Sequence, residues 1–264
     1  MHYPYSMLGW SFNLFKIRGI QLSVHVTFLL LLGYWAYQGY QDGGSGGAFW
    51  STTLILAIFT CVVLHELGHS LTARHFGVGV RRILLMPIGG MAEFDAIPRQ
   101  PGRELLITAA GPAVNFVLAG ALWIVSDRSS GVPDSALPSS LGELVWCLLY
   151  WNIAMGIFNL LPAYPMDGGR ILRALLATRL PYLRATFWAV MVGKVIAAGA
   201  ALTAFYFHRY LTATLFTFIF FAGEAEYQAL KRRERQDAQW RAMLEQLRVA
   251  PPVEEPPFLQ KPET

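Results

Sequence analysis

Long apolar runs recur along this chain, and the second of them contains the motif His65-Glu66-Leu67-Gly68-His69. Runs of this length are typical of helices that span a bilayer. Charged residues make up 14% of the sequence, well below the share of about 25% found in soluble domains. Two imidazoles and a carboxylate are costly at membrane depth, so their position inside an apolar run favours a functional site.

The apolar runs predict an all-α polytopic membrane protein with about six transmembrane helices and a short membrane-dipping β-hairpin after the second helix. The spans are predicted at residues 22–38, 49–71, 105–126, 141–161, 185–207 and 210–223. The run 83–94 is apolar but is broken by Pro87, Gly89 and Gly90, so it is expected to form the hairpin rather than a span. Residues 1–223 are therefore predicted to be the membrane core.

The charged residues indicate the topology. With six spans, 18 of the 21 Lys and Arg residues fall in segments on the N-terminal side. Positive residues concentrate in cytoplasmic segments, so we expect a multi-pass protein of the cell (plasma or inner) membrane with both termini in the cytoplasm. Residues 224–248 are predicted to form a cytoplasmic amphipathic helix, and the Pro-rich residues 249–264 a disordered tail. The net charge of +4 thus follows from topology and indicates no nucleic-acid partner.

The motif His65-Glu66-x-x-His69 has the spacing of a metal site. Residues four apart share a helix face, so His65 and His69 can direct two ring nitrogens at one ion, with Glu66 placed as general base. A catalytic zinc usually has a third protein ligand. Asp167 is a better candidate for this third ligand than the other histidines, because it follows the fourth span on the side where the second span ends. Its alternative role is to cap the short helix predicted after it, at 169–180.

Three stretches together carry a resemblance to a known family: His65 to His69, Ala110-Gly-Pro-Ala-Val-Asn115, and Asn159-Leu-Leu-Pro followed by Asp167-Gly-Gly-Arg170. In order and spacing the chain resembles the site-2 proteases, a family of intramembrane zinc metalloproteases, and in particular its compact members without PDZ or CBS domains. The resemblance implies one zinc ion per chain, bound by His65, His69 and Asp167, with Glu66 activating water. It also implies a membrane-dipping β segment.

The expected activity is hydrolysis of a peptide bond within or near the transmembrane segment of a membrane-tethered regulatory protein. The expected partners are this substrate and the lipid bilayer, and a homo-oligomer or a regulatory membrane partner is left open. Candidate substrate-binding or oxyanion residues are Asn115, Asn159, Gly89 and Gly90. Each Asn could instead only form hydrogen bonds between helices, and His25, in the first span, is more simply interpreted as a satisfied core histidine.

Two other classes of function compete with a protease. A catalytically silent membrane scaffold of the same fold is disfavoured because Glu66 and all three implied ligands are present. A metal transporter is disfavoured because the sequence shows no convincing internal repeat.

Overall fold

The computed structural model describes residues 10–95, 98–126 and 137–249. Within these ranges the protein is mostly helical and carries one four-stranded sheet. The strands are β1 (Ser11–Ile17), β2 (Ile20–His25), β3 (Val80–Met86) and β4 (Gly89–Phe94). The helices are α1 (Val26–His75), α2 (Pro101–Val125), α3 (Leu141–Asn159), α4 (Asp167–Ala177), α5 (Tyr182–Tyr206) and α6 (Tyr210–Val249).

Helix α1 consists of two arms joined at a kink. Gly43 and Gly44 leave the helical region, and Gly44 has a φ of +60°, which an L side chain adopts only with strain. The arms then pack against each other: Phe28 contacts Phe59 edge to face with ring centroids 4.6 Å apart, and the Ser51 hydroxyl donates to the Trp35 carbonyl at 2.9 Å. The predicted first two spans are therefore the two arms of α1.

The sheet is larger than the sequence predicted. The expected hairpin is present as β3 and β4, but β2 pairs with β3 in parallel and β1 pairs with β2 antiparallel. Residues 22–25 belong to β2, so their assignment to the first span was wrong. The physical reason is that a short apolar run is compatible with either strand or helix, and here β1 and β3 satisfy the hydrogen bonds of β2 from both sides. The strand order β1-β2-β3-β4 leaves β4 at an edge.

Four helices of the described chain are long and apolar enough to cross a membrane: α1, α2, α3 and α5. Helix α6 is not among them, and it runs without interruption from the predicted sixth span into the predicted amphipathic helix. An exact count of six spans therefore stays a prediction, as do the domain boundaries. The predicted tail, residues 249–264, lies almost wholly outside the described residues.

Helix α4 is held against the rest of the bundle by a buried ion pair. The Arg173 guanidinium donates to Glu104 Oε1 of α2 at 2.8 and 2.5 Å, and the Tyr182 hydroxyl of α5 donates to the same oxygen at 3.3 Å. Both charged side chains are almost fully buried. Burial alone would lower the pKa of Arg173, but nearby Tyr164 and Glu104 raise it above its ordinary value. The pair fixes α4, which begins with Asp167, relative to α2.

Candidate metal centre

The two histidines of the motif lie one turn apart on the second arm of α1 and face the same point. Their Nε2 atoms are 3.1 Å apart, and the residues are 3% and 8% exposed. Gly68 lies between them where α2 crosses: a Cβ atom at Gly68 would lie 2.8 Å from the Ala110 carbonyl oxygen. The glycine thus allows the two helices to approach closely beside the histidine pair.

Both imidazole rings are oriented by acceptors on α2. His65 Nδ1 lies 2.5 Å from Asn115 Oδ1, and His69 Nδ1 lies 2.8 Å from the Ile107 carbonyl oxygen. Because these oxygens accept, the protons of the neutral rings lie on Nδ1 and the Nε2 lone pairs are left for a metal. Such partners fix the tautomer of a metal-binding histidine.

Asn115 is therefore placed behind His65, not on the cavity wall. It is fully buried, and its amide nitrogen donates to Asn152 Oδ1 at 3.0 Å. Both ends of the Asn115 amide are occupied within the helix bundle, so this geometry does not favour a direct substrate or oxyanion role, which stays a prediction. Asn152 was missed by sequence reasoning, although an Asn inside the apolar run of α3 was the available signal.

Helix α2 packs directly against the two histidine rings at Gly111. A Cβ atom there would lie 2.2 Å from His69 Nε2 and 2.7 Å from His65 Nε2. Real Cβ atoms do not approach nitrogen this closely, so only glycine fits without moving the rings. The sequence contained this residue in the Ala110–Asn115 motif but gave no indication of which atoms it would face.

Asp167 completes the cluster from the connection between α3 and α4. Its Oδ2 lies 3.3 Å from His65 Nε2 and 3.2 Å from His69 Nε2. Gly168 and Gly169 make this possible, because Cβ atoms there would lie 2.2 Å from the Leu161 carbonyl oxygen and 2.8 Å from the Ala163 carbonyl carbon. Helix α4 is N-capped at Met166 with no side-chain hydrogen bond to the cap, so the structure does not show the alternative capping role of Asp167.

The three ligand atoms fit a zinc ion. Zn–N and Zn–O bonds of about 2.0–2.2 Å in a tetrahedron require ligand atoms roughly 3.3–3.5 Å apart, and the observed separations are 3.1, 3.3 and 3.2 Å. Asp167 Oδ2 is also buried without a hydrogen-bond partner. The group of His65, His69 and Asp167 is the one cluster of at least three potential metal ligands found in the described ranges.

Glu66 and strand β4 form the cavity beside this cluster. A cavity of about 440 Å³ is lined by the three ligands, by Glu66 and by residues of β4. Gly90 packs against Glu66, since a Cβ atom there would lie 2.7 Å from Glu66 Cγ. Gly89 has a φ of +132° at the start of β4. The structure thus brings Glu66, Gly89 and Gly90 together at the metal cluster.

Two residues named in the sequence analysis remain, Asn159 and His25. Asn159 lines the cavity, and its amide nitrogen donates to the Met155 carbonyl at 3.0 Å. His25 lies at the start of α1, where its ring accepts a hydrogen bond from the Thr27 amide at 3.3 Å. His25 therefore acts as a helix cap. It is a satisfied histidine as expected, but it is half-buried at the end of β2 and is not a core residue of the first span.

Comparison with known proteins gives matches over most of the chain. The family model described as Peptidase family M50 matches residues 53–133 and 131–200. Zinc metalloprotease MJ0392 of Methanocaldococcus jannaschii is 38% identical over 228 residues, which are 85% of this chain and 62% of that protein. Stage IV sporulation protein FB of Bacillus subtilis is 30% identical over 132 residues, which are 50% of this chain and 43% of that protein. The chain therefore spans only part of the length of these relatives.

Among solved structures, the Site-2 Protease from Methanocaldococcus jannaschii matches with a TM-score of 0.59 and 38% sequence identity. The match covers 83% of this chain and 95% of that chain. The two chains therefore share their fold over most of their length.

Proposed function

The chain belongs to Peptidase family M50, and we propose that it is an intramembrane zinc metalloprotease that cleaves within or near the transmembrane segment of a membrane-tethered regulatory protein. The observation that carries this proposal is the cluster of His65, His69 and Asp167, with separations of 3.1–3.3 Å, beside a cavity that also contains Glu66. The family relatives named as zinc metalloproteases support it.

The metal would be one zinc ion per chain, held by His65 Nε2, His69 Nε2 and Asp167 Oδ2. Zinc there supplies a Lewis acid that polarises a carbonyl group and makes water a nucleophile near neutral pH. Asn115 and the Ile107 carbonyl keep the rings in the required tautomer. Asp167 completes a set of two neutral donors and one anionic donor, which is typical of metalloprotease sites.

Glu66 is the general base of the proposed reaction. It follows the first ligand directly and lines the cavity, so its carboxylate can take a proton from the attacking water. It can then return that proton to the leaving amine nitrogen when the peptide bond breaks. Gly90 permits this position by leaving room for the Glu66 side chain.

The substrate would bind along the free edge of β4. A transmembrane helix conceals its peptide groups in internal hydrogen bonds, so it must unwind before cleavage. An edge strand offers unpaired backbone groups that an extended peptide can pair with. Because Gly89 and Gly90 line the metal cavity, a peptide on this edge would pass beside Glu66. Asn159, which also lines this cavity, is available to bind a backbone group of the substrate.

The proposed orientation places both termini and the open side of the cavity at the cytoplasm. The basic residues that flank the apolar runs support this orientation. Arg74 lies in the last turn of α1, after the motif, and Arg170 lines the cavity itself. Water would therefore enter from the cytoplasmic side.

The test is cleavage by the purified chain in lipid vesicles. A panel of single-span proteins is incubated with the wild type and with Glu66→Gln. We expect the wild type to cleave a member of the panel, and Glu66→Gln to abolish cleavage while it retains about one zinc per chain. Equal cleavage by both proteins would disprove the mechanism. A wild type that binds zinc but cleaves no member of a broad panel would favour the silent scaffold.

A further inference from the structure

A second cavity adjoins the one at the metal cluster. It has a volume of about 570 Å³ and lies between the end of β4, helix α4 and helix α6. Ala92, Phe94 and Arg170 line both cavities, which therefore share a wall. We call the second one the arginine cavity, because five arginines line it: Arg81, Arg99, Arg170, Arg173 and Arg233.

The acidic residues in the wall of the arginine cavity are already paired. Their partners lie at 2.6–3.7 Å, and the pairs are Asp95 with Arg81, Glu93 with Arg82, and Glu226 with Arg173. Arg173 pairs more closely with Glu104, which is buried behind the wall. Arg99 has two partners on α6, Glu234 at 3.7 Å and Asp237 at 3.8 Å. Of the five lining arginines, only Arg170 and Arg233 are outside these pairs within the described residues.

Arg170 and Arg233 have no carboxylate within 4.0 Å anywhere in residues 10–95, 98–126 and 137–249. Arg170 is half-buried and stands three residues after Asp167, while Arg233 is exposed on α6 at the far wall. A guanidinium in a cavity is a strong donor to carboxylate groups, because it presents several N–H groups in a planar fork. The cavity is thus complementary to an acidic ligand.

Strand β4 connects the two cavities. It starts with Gly89 and Gly90 beside Glu66 and ends at Phe94 in the wall of the arginine cavity. A peptide paired with this edge advances about 3.3 Å per residue. The four steps from Gly90 to Phe94 therefore cover roughly 13 Å, so a substrate residue about three to five positions from the cleaved bond would reach the arginines.

We propose that the arginine cavity is a substrate subsite that binds an acidic side chain about three to five residues from the cleaved bond, on the side that passes Phe94. The inference rests on the proposed function and adds a specificity to it. Arg170 and Arg233 are the two residues that bind the carboxylate. The wall that the two cavities share, and the two arginines without a close carboxylate, identify the occupant as a segment of the substrate.

The experiment uses a single-span protein that the wild type cleaves in vesicles of neutral lipid. One version carries Asp and Glu at the flanking positions, and a matched version carries Asn and Gln. We expect kcat/KM to be about three- to tenfold higher for the acidic version, and this preference to shrink as salt is added. Arg233→Gln should reduce the preference and Arg170→Gln with Arg233→Gln should abolish it. Arg232→Gln is the matched control and should retain it, since Arg232 is exposed on α6 but does not line the cavity.

Charge reversal separates recognition from a structural effect. Arg233→Glu should disfavour the acidic version and favour a version with Lys at the same positions, whereas a folding defect would lower cleavage of all versions alike. The measured quantity is the ratio of kcat/KM between two substrate versions, so a general loss of rate does not affect it.

Three results would overturn the inference. The wild type could cleave the acidic and neutral versions equally, or the double variant could keep the full preference. A requirement for anionic lipid, with no dependence on the substrate charge, would instead assign the cavity to a lipid phosphate. Failure of the wild type to cleave any version would refute the proposed function itself, which is a different outcome from equal cleavage.

Discussion

Asn115 Oδ1 lies 2.5 Å from His65 Nδ1, on the side of the ring opposite the metal cluster. The two residues are 50 positions apart and sit on different helices. Their contact holds the ring so that Nε2 faces Asp167 and His69. A residue that touches no substrate can therefore decide how well the metal is bound.

Replacement of Asn115 tests this contact. Asn115→Ala should weaken zinc affinity about 10- to 100-fold, because the His65 ring loses the acceptor that sets its tautomer and direction. Zinc affinity can be measured by competition with a chromophoric chelator. Asn159→Ala is the matched control, since the Asn159 amide donates to the Met155 carbonyl and not to a histidine, and its zinc affinity should stay at the wild-type value. Equal affinities of the Asn115 and Asn159 variants would rule out this role.

The close approach of α2 is tested by Gly111→Ala. The added methyl group must displace the histidine rings, which lie within 2.7 Å of its position. We expect loss of most bound zinc and a destabilisation of about 1–3 kcal/mol from overpacking. Gly120→Ala on the same helix should bind zinc normally, because nothing lies within 4 Å of its Cβ position. Metal analysis and thermal unfolding of both variants provide the comparison, and normal zinc content in Gly111→Ala would contradict the observed packing.

Zinc itself should stabilise the fold through Asp167. At free zinc 100 times above the dissociation constant, binding contributes about 2.7 kcal/mol to the free energy of unfolding. Chelation should therefore lower the unfolding temperature of the wild type and of Glu66→Gln, which keeps all three ligands. Asp167→Ala should show little difference between its zinc-loaded and chelated forms. A zinc-dependent shift of wild-type size in Asp167→Ala would remove Asp167 from the ligand set.

The ion pair between Glu104 and Arg173 should be costly to break from one side. Arg173→Met leaves the buried Glu104 carboxylate without its partner, for which we expect a destabilisation of about 3–5 kcal/mol. Zinc binding should weaken as well, because α4 begins with Asp167. Arg179→Met, at an exposed position of the same segment, should change stability by no more than about 0.5 kcal/mol. Unfolding in denaturant measures the stability of both variants.

Removal of both charges provides the converse test for the pair of Glu104 and Arg173. Glu104→Leu combined with Arg173→Met removes both charges and should recover much of the stability, since a buried pair can be replaced by apolar residues of similar volume. If the double variant were less stable than Arg173→Met alone, a pairwise charge effect would not explain the loss.

The sequence predicted well where the signal is local. Helices α2, α3 and α5 lie within a few residues of apolar runs, and the kink at Gly43 and Gly44 lies between the first two runs. The sheet was only half predicted. Strand β2 continues directly into α1, so its residues extend the same apolar run, and its partner β3 lies about 60 positions further along the chain. No local sequence pattern indicates a pairing between strands so far apart in the chain.

For the site, the sequence by itself determined the histidine pair and Glu66, because the helical repeat places residues four apart on one face. Only the tertiary structure decided which atoms meet there. Asp167, Asn115 and Gly111 reach the histidines from other helices. Arg170 of α4 and Arg233 of α6 line the same arginine cavity. These contacts depend on how the helices cross, and the crossings are set by packing between residues far apart in the chain.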